Sequence, residues 1–514
     1  MRLLRSSAVV GVMTLGSRLL GLVREIFLAR ALGAGPITDA FLTAFQFPNL
    51  FRRIFAEGAF NSAFVPLYAG KLEGEGLTDA QKFARDVASM LMTAMLVLDI
   101  GAQLVMPWLM YLLGPGFVGE PDIFQLAVLL TQITMPYLFM MSLSAMISGV
   151  LNSHGKFAVA AAAPMLLNLT LVGVLWFSPA SGEDLTLHLS VGITVSGLAQ
   201  LFWLYAACRA TGIRLRFQLP RLTPDVRRLI VLGVPGALAA GVTQINILVT
   251  SSIATIEAGA RSWLYFADRL YQLPLGVVGI AMGVVLLPTL TGRLKAGDMQ
   301  AASNAMNRAL EISMALTLPA AVALGVIPVF IAEGVYQRDA FTHADALMVG
   351  QALTAFAVGL PAFVLIKVLS PGFFAREDTV TPMKFATVGV VINLALGLGL
   401  FFGPLGFAGL AIATSVAGWV NTLLLAYTLR RRGLLDPDAR LLSRLPRIAL
   451  ACVGMGVFLF FADRHADQLM PFLLDSRLVT LLVTCLAGLA VFGLASLLTG
   501  ALRISEVRGA LKRS

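Results

Sequence analysis

Cysteine and histidine are almost absent from this chain, with three and four residues in 514. Cys208, Cys452 and Cys485 lie in or beside apolar segments with no paired spacing, which excludes a disulfide framework and a thiolate metal centre. His154, His188, His343 and His465 fall far apart, in predicted loops and helix ends, and form no catalytic or metal-binding constellation. Charge is also scarce, at 13% of residues. Strict apolar–polar alternation is missing too, which excludes a transmembrane β-barrel. The expectation is of a protein that is not an enzyme and carries no cofactor.

Long apolar runs fill the space. The chain is 58% hydrophobic, with a mean hydropathy of +0.84. Runs of about 20 residues recur to the end, each long enough to cross a bilayer. Backbone at that depth must satisfy its own hydrogen bonds, so the fold class is an all-α polytopic membrane protein. The runs predict about 14 transmembrane helices, near 8–31, 37–69, 86–113, 123–151, 157–178, 185–208, 227–254, 262–291, 304–332, 344–370, 380–402, 406–429, 446–462 and 474–501.

The net charge of +10 is distributed by topology. With these spans, 27 of the 38 basic residues fall in loops or termini on one side, including six arginines in 209–228 and six in 430–447. The opposite loops hold only Arg261, Arg338, Arg464 and Arg477. That asymmetry predicts both termini in the cytoplasm. It reads the two arginine-rich segments as topogenic surface against membrane lipids rather than as a nucleic-acid site. The basic start followed by an apolar run resembles a signal peptide. Its length, and Arg18 and Arg24 within it, mark a retained helix instead.

Seven basic residues remain inside the predicted spans, and they carry the functional signal. A charge at the centre of a membrane helix costs about 2.5–3.5 kcal/mol on insertion scales, so several together must pair or line a water-filled cavity. On the first span, Gly11, Thr14, Ser17, Arg18, Gly21, Arg24 and Glu25 fall within an arc of roughly 140°. On the second, Asp39, Gln46 and Arg53 are spaced by sevens, Glu57 follows Arg53 by four, and Asn49 precedes Arg52 by three. Asp268 and Arg269 lie on the eighth. Within this set, five arginines face four acids. Arginine is the planar, bidentate binder of phosphate, so an anionic cargo is one reading and ion pairs that lock helices together are the other. Gln244, Asn246 and Asn393 are weak candidates for a coupling cation, with interhelical hydrogen bonding the plainer role. Pro107, Pro136, Pro235, Pro274, Pro288 and Pro361 are expected kinks, and Trp108, Trp176 and Trp263 expected interface anchors.

The chain repeats weakly. Ala34-Gly35 recurs as Ala258-Gly259, Pro48 as Pro274, Pro136 as Pro361 and Asn168 as Asn393, at offsets of 224 to 226. Six spans per repeat is an even number, so the halves share an orientation. The expected domains are an N-terminal lobe over 1–220, a second lobe over 221–432 in parallel pseudo-repeat, and a pair of C-terminal helices over 433–514.

The motifs Ser17-Arg18-Leu19-Leu20-Gly21-Leu22-Val23-Arg24-Glu25, Thr38-Asp39-Ala40-Phe41 and the run 47–60 (FPNLFRRIFAEGAF) resemble those of the MurJ/MviN lipid II flippases, in the multidrug/oligosaccharidyl-lipid/polysaccharide exporter superfamily. In the second half, Phe266-Ala267-Asp268-Arg269-Leu270 and the run 373–382 (FFAREDTVTP) are similar to that family's motifs. The resemblance implies a transporter of the lipid-linked peptidoglycan precursor in the bacterial inner membrane, serving cell wall synthesis. It implies functionally important cavity arginines at Arg18, Arg24, Arg52 and Arg269, and a polar pattern at Asp39, Asn49, Arg53 and Glu57. Position 25, often Asp in the family, is Glu25 here. The resemblance also implies that the last two helices form a groove for the lipid tail. Sodium coupling of some relatives has no matching acidic ligands here.

The expected function is therefore an alternating-access flippase whose partner is lipid II. Its site residues would be Ser17, Arg18, Arg24, Glu25, Asp39, Asn49, Arg52, Arg53, Glu57, Asp268 and Arg269. The alternatives are a flippase for another polyprenyl-diphosphate oligosaccharide of O-antigen type and, more distantly, a polyprenyl-linked glycosyltransferase.

Overall fold

The computed structural model describes residues 2–56, 59–215 and 218–501, and every element is helical. The chain divides into two compact units, 1–262 and 263–514. The first holds α1 (Arg2–Leu32), α2 (Pro36–Ala56), α3 (Ala59–Gly74), α4 (Leu77–Leu104), α5 (Met106–Leu113), α6 (Pro121–Thr134), α7 (Pro136–Ser153), α8 (Phe157–Phe177), α9 (Gly182–Ala210) and α10 (Pro224–Ala254). The first residues of α11 (Ala260–Lys295) also belong to it. The second unit continues with α12 (Met299–Val326), α13 (Pro328–Tyr336), α14 (His343–Phe374), α15 (Val380–Phe401), α16 (Gly406–Arg431), α17 (Ala439–Arg464), α18 (Ala466–Leu469) and α19 (Arg477–Leu498).

Among the described residues, ten helical segments are long and apolar enough to cross a membrane, α6 and α7 together counting as one. The expected span 37–69 appears as α2 and α3, with residues 57 and 58 between them outside those described, and proline explains three other differences. The spans 86–113, 123–151 and 304–332 each appear as two helices, interrupted at Val105, Met135 and Ile327. Pro107, Pro136 and Pro328 follow within two residues and open the next helix, where a missing N–H costs nothing. Pro274, Pro288 and Pro361 sit instead inside helices that continue through them. The boundary of the units also lies beyond the 220/221 division of the repeat. Helix α10 packs on α2, α3 and α5 of the first unit.

In the first unit the core gathers α3, α4, α7 and α9 around fully buried Phe64, Tyr68, Met135 and Leu138. Phe64 stacks on Phe60, Tyr68 and Phe83, and the Tyr68 hydroxyl meets His154 Nε2 at 3.0 Å. In the second unit, α14 packs closely on α16, where a Cβ at Gly359 would collide with Ser415. Trp108 and Trp176 are exposed, as anchors should be. Trp263 instead donates its indole N–H to Asp345 at 3.1 Å and packs on Phe407.

The 430–447 segment differs from the expected lipid-facing surface. Arg440 and Arg444 turn inward onto Glu311 of α12, which is 6% exposed. Arg440 binds it through two bonds of 3.1 Å, and Arg308 bridges Glu311 to Asp438, the N-cap of α17. One buried carboxylate thus joins α17 to α12. Glu311→Leu is expected to lower the stability of the detergent-solubilised protein by about 2 kcal/mol, less than for a fully buried pair because Arg308 and Arg440 reach water. An unchanged unfolding temperature would show that water already carries these arginines.

Candidate functional site

The predicted site residues separate into three environments. The first is built on α1, which packs along α8. Leu15, Leu19 and Val23 are exposed on its apolar face. The opposite arc is split. Arg18 is exposed, whereas Gly21 lies under Asn168, and Arg24 is packed to 11% side-chain exposure. Arg24 Nη1 donates to Asn168 Oδ1 at 3.0 Å, and its Nη2 donates to Glu25 Oε1. The guanidinium carbon lies 5.9 Å from the centre of the Phe45 ring. Asn168 Nδ2 in turn donates to the Ser17 carbonyl at 3.0 Å. Ser17 therefore contributes its backbone here, while its side chain is half-buried. Glu25 is 2% exposed. Burying that carboxylate is tolerable because the adjacent guanidinium offsets its desolvation.

The second environment is the start of α2, where Asp39 is 1% exposed. One carboxylate oxygen accepts from the Gly259 N–H at 2.8 Å, the other from the Ser262 N–H at 2.8 Å and from the Ser262 hydroxyl. These donors belong to the beginning of α11, whose first N–H groups have no partner within their own helix. Asp39 thus caps a helix 220 residues away in sequence. Beside it Arg261, assigned by sequence to a loop, is 6% exposed and donates to the Leu42 carbonyl at 2.9 Å and to Gln46 Oε1. Gln46 also donates to the Ile247 carbonyl. Both Asp39 oxygens are thus tied to groups of the protein. Asn49 lies half-buried further along α2. Arg52 and Arg53 continue α2 with side chains outside the described residues, and Glu57 lies outside them altogether.

The third environment is on α11 in the second unit. Asp268 accepts from Gln272 one turn on, and the Arg269 guanidinium lies 4.6 Å from the Tyr265 ring centre. Stacking on an aromatic face helps to hold a guanidinium in place. Of the cation candidates, Gln244 and Asn246 lie in α10 and Asn393 in α15, where it accepts from Thr414 at 3.2 Å. No group of three or more His, Cys, Asp or Glu suited to a metal ion occurs among the described residues. In the 373–382 run, Asp378 accepts from the Thr381 N–H at 2.9 Å and from Arg432 at 2.6 Å. Those two contacts hold its carboxyl down at about 2, so it stays ionised and ties the α14–α15 loop to the end of α16.

The family model of "Lipid II flippase MurJ" matches residues 28–480. The chain belongs to the MurJ lipid II flippase family. Among its relatives, a "Probable lipid II flippase MurJ" of Rhizobium meliloti is 46% identical over 100% of this chain and 97% of its own length. "Lipid II flippase MurJ" of Burkholderia cenocepacia is 33% identical over 88% and 90%. A solved structure of "Lipid II flippase MurJ, inward closed conformation" aligns with a TM-score of 0.79 at 25% identity, covering 95% of this chain and 97% of that one. An inward-facing multidrug resistance MATE family transporter of the MOP superfamily shares the fold, with a TM-score of 0.65 at 15% identity over 82% and 98%. The family and these folds make the chain a multi-pass inner-membrane protein.

Sequence reasoning missed two members of the site. Asn168 was visible only as a repeat marker, although a lone Asn in the apolar run 157–177 signals a buried polar contact. Arg261 was hidden because the helix was expected to begin at 262, two residues after its observed start.

Proposed function

We propose that this chain moves lipid II from the inner to the outer leaflet of the bacterial inner membrane by alternating access, supplying cell wall synthesis. The physical task is to carry a diphosphate and its sugar-peptide head through hydrocarbon, where an unpaired charge is prohibitively costly. Arg18, Arg24, Arg52, Arg53 and Arg269 meet the diphosphate, while Glu25, Glu57 and Asp268 hold the arginines ready and Asn49 and Ser17 contact the head. The observation that carries the reading is Arg24, packed in an apolar helix pair and braced in part by a neutral amide, within a chain that matches the family over 28–480.

The fourteen-helix arrangement belongs to the same proposal. The ten spanning segments together with α1, α2, α10 and α11, each of 21 to 36 residues, give fourteen. By repeat, the lobes are 1–220 and 221–432, with 433–514 as the tail-binding pair and both termini cytoplasmic. Helix α10 then belongs to the second lobe by repeat and to the first unit by packing.

A flippase for an O-antigen-type carrier would use the same diphosphate clamp, so the test must identify the cargo. Depletion of the protein in growing cells is expected to accumulate disaccharide-pentapeptide on undecaprenyl diphosphate in the inner leaflet. Accumulation of a different lipid-linked oligosaccharide, with lipid II export unchanged, would overturn the reading.

A further inference from the structure

Asn168 makes two directed bonds to one neighbouring helix. Its Oδ1 accepts from Arg24 and its Nδ2 donates to the Ser17 carbonyl, both at 3.0 Å. The two partners fix the orientation of the amide, since a guanidinium can only donate and a carbonyl can only accept. Ser17 and Arg24 are seven residues apart, so the amide spans two turns of α1 and sets the height at which the guanidinium is held. Asn168 is itself 7% exposed.

The repeat sharpens the point. The asparagine recurs as Asn393, yet the residue 225 positions after Arg24 is Val249. Asn393 accepts from Thr414 on α16 instead. The first half of the chain has therefore directed a recurring asparagine onto an arginine that the second half lacks. The chemistry of the side chain matters as well. Arg24 already shares its charge with Glu25, so an aspartate at 168, though nearly isosteric, would set a second carboxylate on the guanidinium, whereas an amide orients it and adds no further negative charge.

We propose that Asn168 is a positioning residue for the diphosphate of the cargo, aiming Arg24 without adding a second carboxylate to the one Glu25 supplies. The inference rests on the reading of Arg24 as a diphosphate contact, and its test separates the two. The purified full-length protein in nanodiscs is titrated with undecaprenyl diphosphate and with undecaprenyl monophosphate, and the ratio of the two affinities is measured. Loss of properly folded protein lowers the binding capacity for both lipids alike and leaves the ratio of affinities alone. Asn168→Asp and Asn168→Leu are expected to reduce the preference for diphosphate at least fivefold, and to add nothing in an Arg24→Ala background. If Asn168→Leu fails to fold, the isosteric Asn168→Asp carries the test. An unchanged ratio in Arg24→Ala would overturn the diphosphate role of Arg24 itself. A ratio reduced by Arg24→Ala but unchanged by Asn168→Asp would overturn the positioning role and leave Asn168 a helix-packing residue.

Discussion

Arg24→Lys is expected to abolish growth support and to lower lipid II affinity by about tenfold or more, equivalent to about 1.4 kcal/mol, while the protein folds and inserts normally. Lysine keeps the charge but presents a point ammonium in place of a planar fork. The fork is needed three times over. Arg24 must reach Asn168 with one terminal nitrogen, Glu25 with the other, and still offer N–H groups to phosphate oxygens. An ammonium on a flexible four-carbon stem cannot hold those directions at once. The checks are complementation of a depletion strain at matched expression and a binding titration on purified protein. Full complementation with unchanged affinity would reduce the requirement to charge alone.

Asp39→Ala should produce the largest loss of stability among the predicted site residues. It strands the first N–H groups of α11 and removes the carboxylate beside buried Arg261. Orphaned donors and the loss of a carboxylate beside a buried guanidinium together cost about 3 kcal/mol or more. Asp39→Asn should recover part of this, because one amide oxygen still accepts while its NH₂ opposes a backbone donor. Thermal unfolding in detergent, with and without lipid II, decides the assignment. A structural cap predicts a fall of similar size in both conditions and an unchanged lipid II affinity for whatever fraction remains folded. An unchanged unfolding temperature with lost affinity would return Asp39 to the set of cargo contacts.

These two residues show how far a sequence carries. Both were found by the same argument, a charge inside an apolar span, and the argument does not distinguish their roles. Arg24 is shared between a carboxylate and a neutral amide with an aromatic ring beside it, whereas Asp39 accepts from two backbone N–H groups and the Ser262 hydroxyl. Arg440 and Arg444 make the opposite case. Counted as topogenic surface charge, they converge on Glu311, which lies more than a hundred residues away in sequence.

The sequence by itself determined the helical membrane class and the family, through the length of its apolar runs and the FPNLFRRIFAEGAF motif. It also determined which residues had to be special, because hydrocarbon penalises a buried charge wherever it occurs in the chain. Only the tertiary structure decided what each charge is paired with. Partners such as Asn168 for Arg24, or Gly259 and Ser262 for Asp39, come from helices 144 to 223 residues distant. Helical periodicity gives the direction in which a side chain leaves its own helix. The identity of the group it meets is set by packing between helices, which no local pattern encodes.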